Sequence, residues 1–278
     1  MIRLPELLLG LLFSALIALL AYRRAALDKS GALGAIITGT AIFGFGGWSW
    51  GALLITFFVL STLLSKFKAR AKEGLAEKFA KGSRRDLGQV LANGGAGALL
   101  ALAYARLQAP ALLFAFAGAI ATVNADTWAT ELGVLSRRPP RLITSGEVVE
   151  PGTSGGISVL GTLATLAGGL AIGGAATGYR ALEGLLGGDV VMPPASALVV
   201  AGLLGGLAGS LFDSLLGATV QAIYYSEGRA KETERSIDPD GAPNHLLRGR
   251  RWLNNDWVNF LSSLVGAAAG AVVYGIMK

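Results

Sequence analysis

Three stretches of this chain place carboxylates, amides and hydroxyls inside otherwise apolar sequence: NADTWATELG (124–133), GSLFDSLLGATVQ (209–221) and NNDWVNFLSS (254–263). Helical spacing puts Asp126 and Thr130 on one stripe and Thr127 and Glu131 on another. Ser210, Asp213, Ser214 and Gly217 form a third stripe, and Asn255, Asp256, Asn259, Ser262 and Ser263 a fourth. One such stripe serves helix packing as readily as chemistry. Carboxylates on three separate segments, with amides beside them, suit a hard cation. Mg²⁺ takes oxygen ligands, usually one or two carboxylates plus waters and substrate phosphates. Cation transport is the competing use of the same groups.

Anion-binding candidates accompany them. Ser30-Gly31 follows Asp28 and Lys29 at the start of one apolar run, and Gly152-Thr153-Ser154-Gly155-Gly156 precedes another. Both offer free backbone N–H groups at a helix start, which suits phosphate, although an ordinary N-cap with a glycine turn looks the same. Gln89 and Asn93, four residues apart behind Arg84 and Arg85, face one way and serve a ligand or packing equally well. The chain has no cysteine and a single histidine, His245, so thiolate chemistry, disulfides and His-based triads are excluded. No P-loop phrase occurs.

The elements that must position these groups are membrane helices. Of 278 residues, 53% are hydrophobic and 15% charged, against about 25% charged in soluble domains. Mean hydropathy is +0.56. Apolar runs fall at 4–22, 31–64, 89–106, 110–131, 157–178, 195–221 and 256–277. The run 31–64 is too long for one helix, and its centre, Gly44 to Gly51, reads as a turn, making two short helices or a re-entrant pair. The expected fold is therefore all-α, one polytopic transmembrane bundle of about eight helices over 1–278. Ionisable groups inside such segments cost about 2.5–3.5 kcal/mol each on insertion scales, which makes each a functional candidate.

Charge sets the orientation. The loops 22–30, 65–88, 134–156 and 226–255 hold 20 of the 24 Lys and Arg residues. That asymmetry predicts a cell membrane protein with those loops in the cytoplasm and both termini outside. It also accounts for the net charge of +6 without a nucleic-acid partner. The segment 65–88 reads as a basic interfacial helix attracted to lipid headgroups, and 226–255 as a cytoplasmic loop. Gly202-x-x-x-Gly206, Gly205-x-x-x-Gly209 and Gly266-x-x-x-Gly270 pack helices within a chain or between chains, so an oligomer is possible.

These phrases, together with SGEVVEPGTSGG (145–156), SGALGA (30–35) and RRDLGQVLANGG (84–95), resemble the integral-membrane family that contains the plant chloroplast phytyl-phosphate kinases and many uncharacterised microbial proteins. The resemblance covers most of the chain. Asp126-Thr127-x-Ala129-x-x-x-Gly133 also resembles a phrase of membrane CTP-using enzymes, the phosphatidate cytidylyltransferases and polyprenol kinases. The basic phrases of the cytidylyltransferases are missing after Asp213, which favours phosphoryl over nucleotidyl transfer. The resemblance implies a kinase that turns an isoprenyl monophosphate into its diphosphate with a nucleoside triphosphate, CTP foremost. On that reading Asp126, Asp213 and Asp256 hold Mg²⁺ or its waters, with Glu131 and Glu147 as weaker candidates. Asn124, Asn255 and Asn259 orient phosphates or carboxylates, and Lys29, Arg84, Arg85 and Arg248 contact phosphate. A cation- or proton-coupled transporter or lipid carrier, or a CTP-dependent cytidylyltransferase, is the alternative.

Overall fold

The computed structural model describes residues 4–67, 84–187 and 194–277. The basic segment expected as an interfacial helix falls mostly outside them. Eight long helices follow in chain order: α1 (Leu4–Arg23), α2 (Lys29–Gly46), α3 (Trp48–Lys66), α4 (Leu87–Leu107), α5 (Ala111–Gly133), α6 (Val159–Leu185), α7 (Ala195–Thr219) and α8 (Asn255–Met277). Among the described residues, seven are long and apolar enough to cross a membrane. The eighth, α2, has 18 residues, about 27 Å of helix. The run 31–64 is thus two helices that reverse at one residue. Gly47 adopts φ 93°, and its N–H bonds to the Phe43 carbonyl at 2.9 Å, closing α2 as α3 begins.

The core of the bundle is α5. From Leu113 to Ala125 every residue of it is buried, on all faces. Small residues let α6, α7 and α8 close on it. A Cβ on Gly118 would lie 2.2 Å from the Gly266 carbonyl oxygen, and one on Gly205 would lie 2.6 Å from the Gly118 Cα. Thr122 Oγ1 donates across the contact to the Gly205 carbonyl at 2.9 Å. Gly202 packs against Gly169 and Gly173 of α6, and Gly206 against Gly169. All three glycine motifs are therefore used inside the chain. By contrast α1 lies at the margin and exposes Leu8, Leu12, Leu16 and Leu20, the surface that lipid covers.

The starts of α2 and α4 are laced together. Asp28 caps α2, its Oδ1 accepting from the Gly31 N–H at 2.7 Å. Ser30 Oγ donates to Asp28 and accepts from the Leu87 N–H. Asp86 and Gln89 form a capping box on α4. Backbone bonds run from Asp28 N–H to the Arg85 carbonyl and from Arg85 N–H to the Ala26 carbonyl. Two small sheets add strands to the expected all-helical picture. β1 (Arg141–Leu142) pairs with β2 (Gly156–Ile157), and β3 (Ile223–Ser226) lies between β4 (Lys231–Thr233) and β5 (His245–Arg248), all antiparallel. Hence the region expected as a loop, 226–255, is largely a folded hairpin cap.

Candidate active site

A cavity of about 580 Å³ opens at the end of the bundle where α3, α5 and α7 finish and α4, α6 and α8 begin. Many of the residues singled out in the sequence line it, among them Asp126, Thr127, Glu131, Asp213, Ser214, Asn255, Asp256, Asn259, Arg85, Gln89, Asn93, Ser154 and Gly155. The three carboxylate-bearing segments do converge on it. Ser210 Oγ donates to Asp126 Oδ1 and Ser262 Oγ to Asp213 Oδ2, both at 3.3 Å. Each carboxylate thus faces a hydroxyl from a neighbouring helix, α7 for Asp126 and α8 for Asp213. Thr127, which lines the cavity, donates its Oγ1 back to the Val123 carbonyl at 2.7 Å.

Arg85 brings positive charge to the same cavity. Its guanidinium lies 5.7 Å and 5.2 Å from the ring centroids of Phe57 and Phe58, with the Glu131 carboxylate as opposing charge. Buried Nη1 has no hydrogen-bond partner among the described residues. Gln89 and Asn93 stand one turn apart on α4, and Arg85, just before the Asp86 cap, lines the cavity with them.

The glycine-rich segment 152–156 forms another wall, but it does not begin α6. That helix starts at Val159, and Ser158 caps it, its Oγ accepting from the Gly161 N–H at 3.1 Å. The loop is pressed onto the end of α7 instead. Gly155 has φ 85° and a Cβ there would lie 2.5 Å from Ala218. Ser154 Oγ donates to Gln221 Oε1, whose Nε2 donates to Glu234, both at 2.9 Å. Glu234 lines the cavity and is the acid that sequence reasoning missed; it sits in a polar hairpin with no motif to mark it.

Six expected site residues lie elsewhere. Asn124 is fully buried and donates from Nδ2 to the Gly168 carbonyl at 2.9 Å, so it joins α5 to α6. Ser30 is part of the α2 cap, and Lys29 beside it is exposed. The SGALGA phrase has its glycine for close approach, since a Gly31 Cβ would lie 2.0 Å from the Arg85 carbonyl oxygen. Arg84 and Glu147 are exposed, Glu147 accepting from Ser145. Arg248 donates to the carbonyls of Gly217 at 2.6 Å and Ser154 at 3.3 Å, so it clamps the glycine loop to α7 without lining the cavity.

For a cation the donors are hard oxygens. No three acidic or histidine side chains group as a metal cluster among the described residues. Asp126 and Asp213, with their hydroxyl partners, fit an ion such as Mg²⁺ that takes one or two protein carboxylates and completes its shell with water and phosphate.

The hairpin cap that carries Glu234 is held by Asp238, which accepts from Asn244 Nδ2 at 2.9 Å and from Ser226 and Arg229. These bonds, Asn244 first, hold the Asp238 carboxyl down at about 2 against an ordinary 3.8. The depressed value means the carboxylate favours the folded cap above about pH 4, and the contribution disappears as pH falls from there through 2. Hydrogen-exchange protection of amides 226–244 is expected to fall over that window. Asp238→Asn should show the loss already at pH 7; unchanged protection in that variant would refute the role.

A helical bundle buried in lipid, with an acidic cavity at one end, defines the class: an integral multi-pass membrane protein. The chain belongs to the family described as Integral membrane protein DUF92, whose model matches residues 12–267. It is 33% identical over 274 residues to Protein PGR of Arabidopsis thaliana, covering 94% of this chain and 93% of that one. An uncharacterized membrane protein of Methanocaldococcus jannaschii is 34% identical over 275 residues, covering 97% and 94%. Protein VTE6, chloroplastic, of Arabidopsis thaliana is 28% identical over 248 residues, covering 87% of this chain and 63% of that protein. No solved structure matches the chain.

Proposed function

We propose that this protein is a membrane phosphotransferase that converts an isoprenyl monophosphate, such as phytyl or geranylgeranyl phosphate, to the diphosphate with a nucleoside triphosphate, CTP foremost. The observation that carries the reading is one cavity in which Asp126, Asp213 and Arg85 share walls with a glycine-rich loop, at the end of an apolar bundle. The similarity to VTE6 supports it, as does the resemblance of the phrases around Asp126, Asp213 and Asn255 to those of the plant phytyl-phosphate kinases. The excess of Lys and Arg in the loops at this end supports a cytoplasmic position for it, at the cell membrane.

The chemistry asks little of the side chains. A phosphate monoester has a second pKa of about 6, so at neutral pH its oxygen is already an anionic nucleophile. That oxygen forms a bond to the γ-phosphorus, the bond to the β–γ bridging oxygen breaks, and the nucleoside diphosphate leaves with the electron pair. No proton is abstracted, which agrees with a chain whose single histidine, His245, is exposed beside Glu227. Catalysis then rests on alignment and charge neutralisation. Arg85, Gln89 and Asn93 hold the lipid's phosphate; the 152–156 backbone and Ser154 hold the triphosphate. Asn255, Asn259 and Ser214 donate or accept at the margin, with Asp256 and Glu131 setting the field. Asp126 and Asp213 would hold Mg²⁺, which supplies charge neutralisation on the triphosphate when bound. Embedding spares the enzyme from extracting an apolar tail, about 0.8 kcal/mol per CH₂.

The test incubates purified protein with labelled triphosphates and geranylgeranyl or phytyl phosphate. The expected products are the prenyl diphosphate and a nucleoside diphosphate, in a reaction abolished by chelator and restored by Mg²⁺. Release of pyrophosphate would assign nucleotidyl transfer instead. Absence of any product with every donor would return the acidic cavity to transport.

A further inference from the structure

A second, narrower space lies beside the cavity. It holds about 90 Å³ between α1, α2, α3 and α4, walled by Phe13, Ile17, Phe43, Leu54, Phe58 and Val90. Arg85, Gln89 and Asn93 line both spaces, so the two meet at the start of α4. We infer that this slot receives the first units of the apolar chain of a single-chain lipid phosphate, whose head lies against Arg85 in the larger cavity. The inference rests on reading that cavity as a phosphate site, and it fixes which side of the cavity the lipid occupies.

Three observations carry it. Membrane bundles close apolar space by packing, as α5 does against α6 to α8, and a slot left between large apolar side chains departs from that rule and has room for an apolar occupant. The occupant must be apolar along the slot and anionic at its mouth. A guanidinium nitrogen, Nη1 of Arg85, is buried there with no acceptor among the described residues, and a buried donor left unpaired is costly. Phe57 and Phe58 flank the guanidinium, so an anion approaching it meets little competing water. The small volume selects one chain, not the paired chains of a bilayer phospholipid.

Photolabelling decides the matter without turnover. The probe is farnesyl phosphate carrying a diazirine on its second isoprene unit, added to the full-length protein in detergent, with labelled peptides mapped by mass spectrometry. Label is expected on Phe43, Leu54 or Phe58, displaced by excess farnesyl phosphate and not by farnesol. Ala35→Phe and Gly94→Val fill the slot from α2 and α4. The atoms nearest a Cβ on Gly94 belong to the Thr38 side chain, Cγ2 the closest at an ordinary 3.5 Å. Each variant should lose at least tenfold of the displaceable label while keeping the melting midpoint. Label confined to α6 and α7, or to the outward leucines of α1 and undisplaced by phosphate, would overturn the inference, whether or not the variants fold. Displaceable label in the slot of a protein that phosphorylates no prenyl phosphate would uphold the slot and refute the kinase. Turnover with label elsewhere would do the reverse.

Discussion

Asp126→Asn and Asp213→Asn should each lower kcat for prenyl-phosphate phosphorylation by about 10³-fold or more, roughly 4 kcal/mol of barrier, while the protein unfolds at an equal or higher temperature. The two readouts move apart for a physical reason. Both carboxylates line one cavity inside the bundle, where each is held by a single serine hydroxyl at 3.3 Å and no Lys or Arg pairs with either in a described salt bridge. Two like charges in a space shielded from water repel more strongly than in bulk solvent. Neutralising one removes that repulsion, and the isosteric amide still accepts from Ser210 or Ser262. Stability is therefore held or gained.

Activity falls because an amide is a poor ligand for a hard divalent cation and leaves the triphosphate charge unopposed. A purely structural carboxylate would give the opposite pattern, a lower melting midpoint with turnover nearly intact. Asp256 differs. It stands in the first turn of α8, where a negative charge is favourable to the helix. Its Asn variant should lose a smaller factor, about tenfold. Steady-state kinetics with thermal unfolding of the same preparations measures all three. Rates within tenfold of the parent for both Asp126→Asn and Asp213→Asn would remove the carboxylates from catalysis.

The helices were legible because an apolar run bounded by charges has few other solutions in a membrane. The convergence of Asp126, Asp213 and Asp256 followed from counting which loops are basic, since that fixes which helix ends share a side. The rotation of each helix was not legible. In α5 every residue from Leu113 to Ala125 is buried, so no polar-to-apolar periodicity marks the face that meets the cavity. Asn124 and Asp126 are two residues apart, about 200° around the axis, and cannot face one site; the sequence offered no reason to choose between them. The glycine phrases were ambiguous in another way. A Ser-Gly start exposes the same N–H groups whether it cradles phosphate or simply lets Arg85 approach, and only the 2.0 Å distance at Gly31 separates the two. Glu234 was invisible because a three-stranded hairpin folds it back over the cavity, a long-range consequence of β3 pairing with β4 and β5.

Gly118→Leu should prevent folding outright, whereas Gly174→Leu should leave folding and turnover unchanged. Lipid offers helices no hydrophobic incentive to associate, so contact in the bilayer depends on close approach of backbones and on bonds such as that from Thr122 to Gly205. At Gly118 even a Cβ would lie 2.2 Å from the Gly266 carbonyl oxygen and 3.3 Å from the Gly270 Cα. The obstacle is backbone, which cannot rotate away. To admit a leucine, α8 must move off α5, and that movement also separates Gly266 from Gly205, so the packing of α8 on α7 is lost with it. The expected loss exceeds the roughly 4–5 kcal/mol that marks exceptional single substitutions, read as loss of the monodisperse peak on size exclusion. Gly174 has no atom within 4 Å of the position a Cβ would take. The same geometry decides how the glycine motifs are used. Because Gly202 meets Gly169 and Gly173 of its own chain, Gly202→Leu should also misfold. If it instead yielded a folded protein of half the parent's mass, these glycines would be holding two chains together, and the packing of α6 on α7 described above would be wrong.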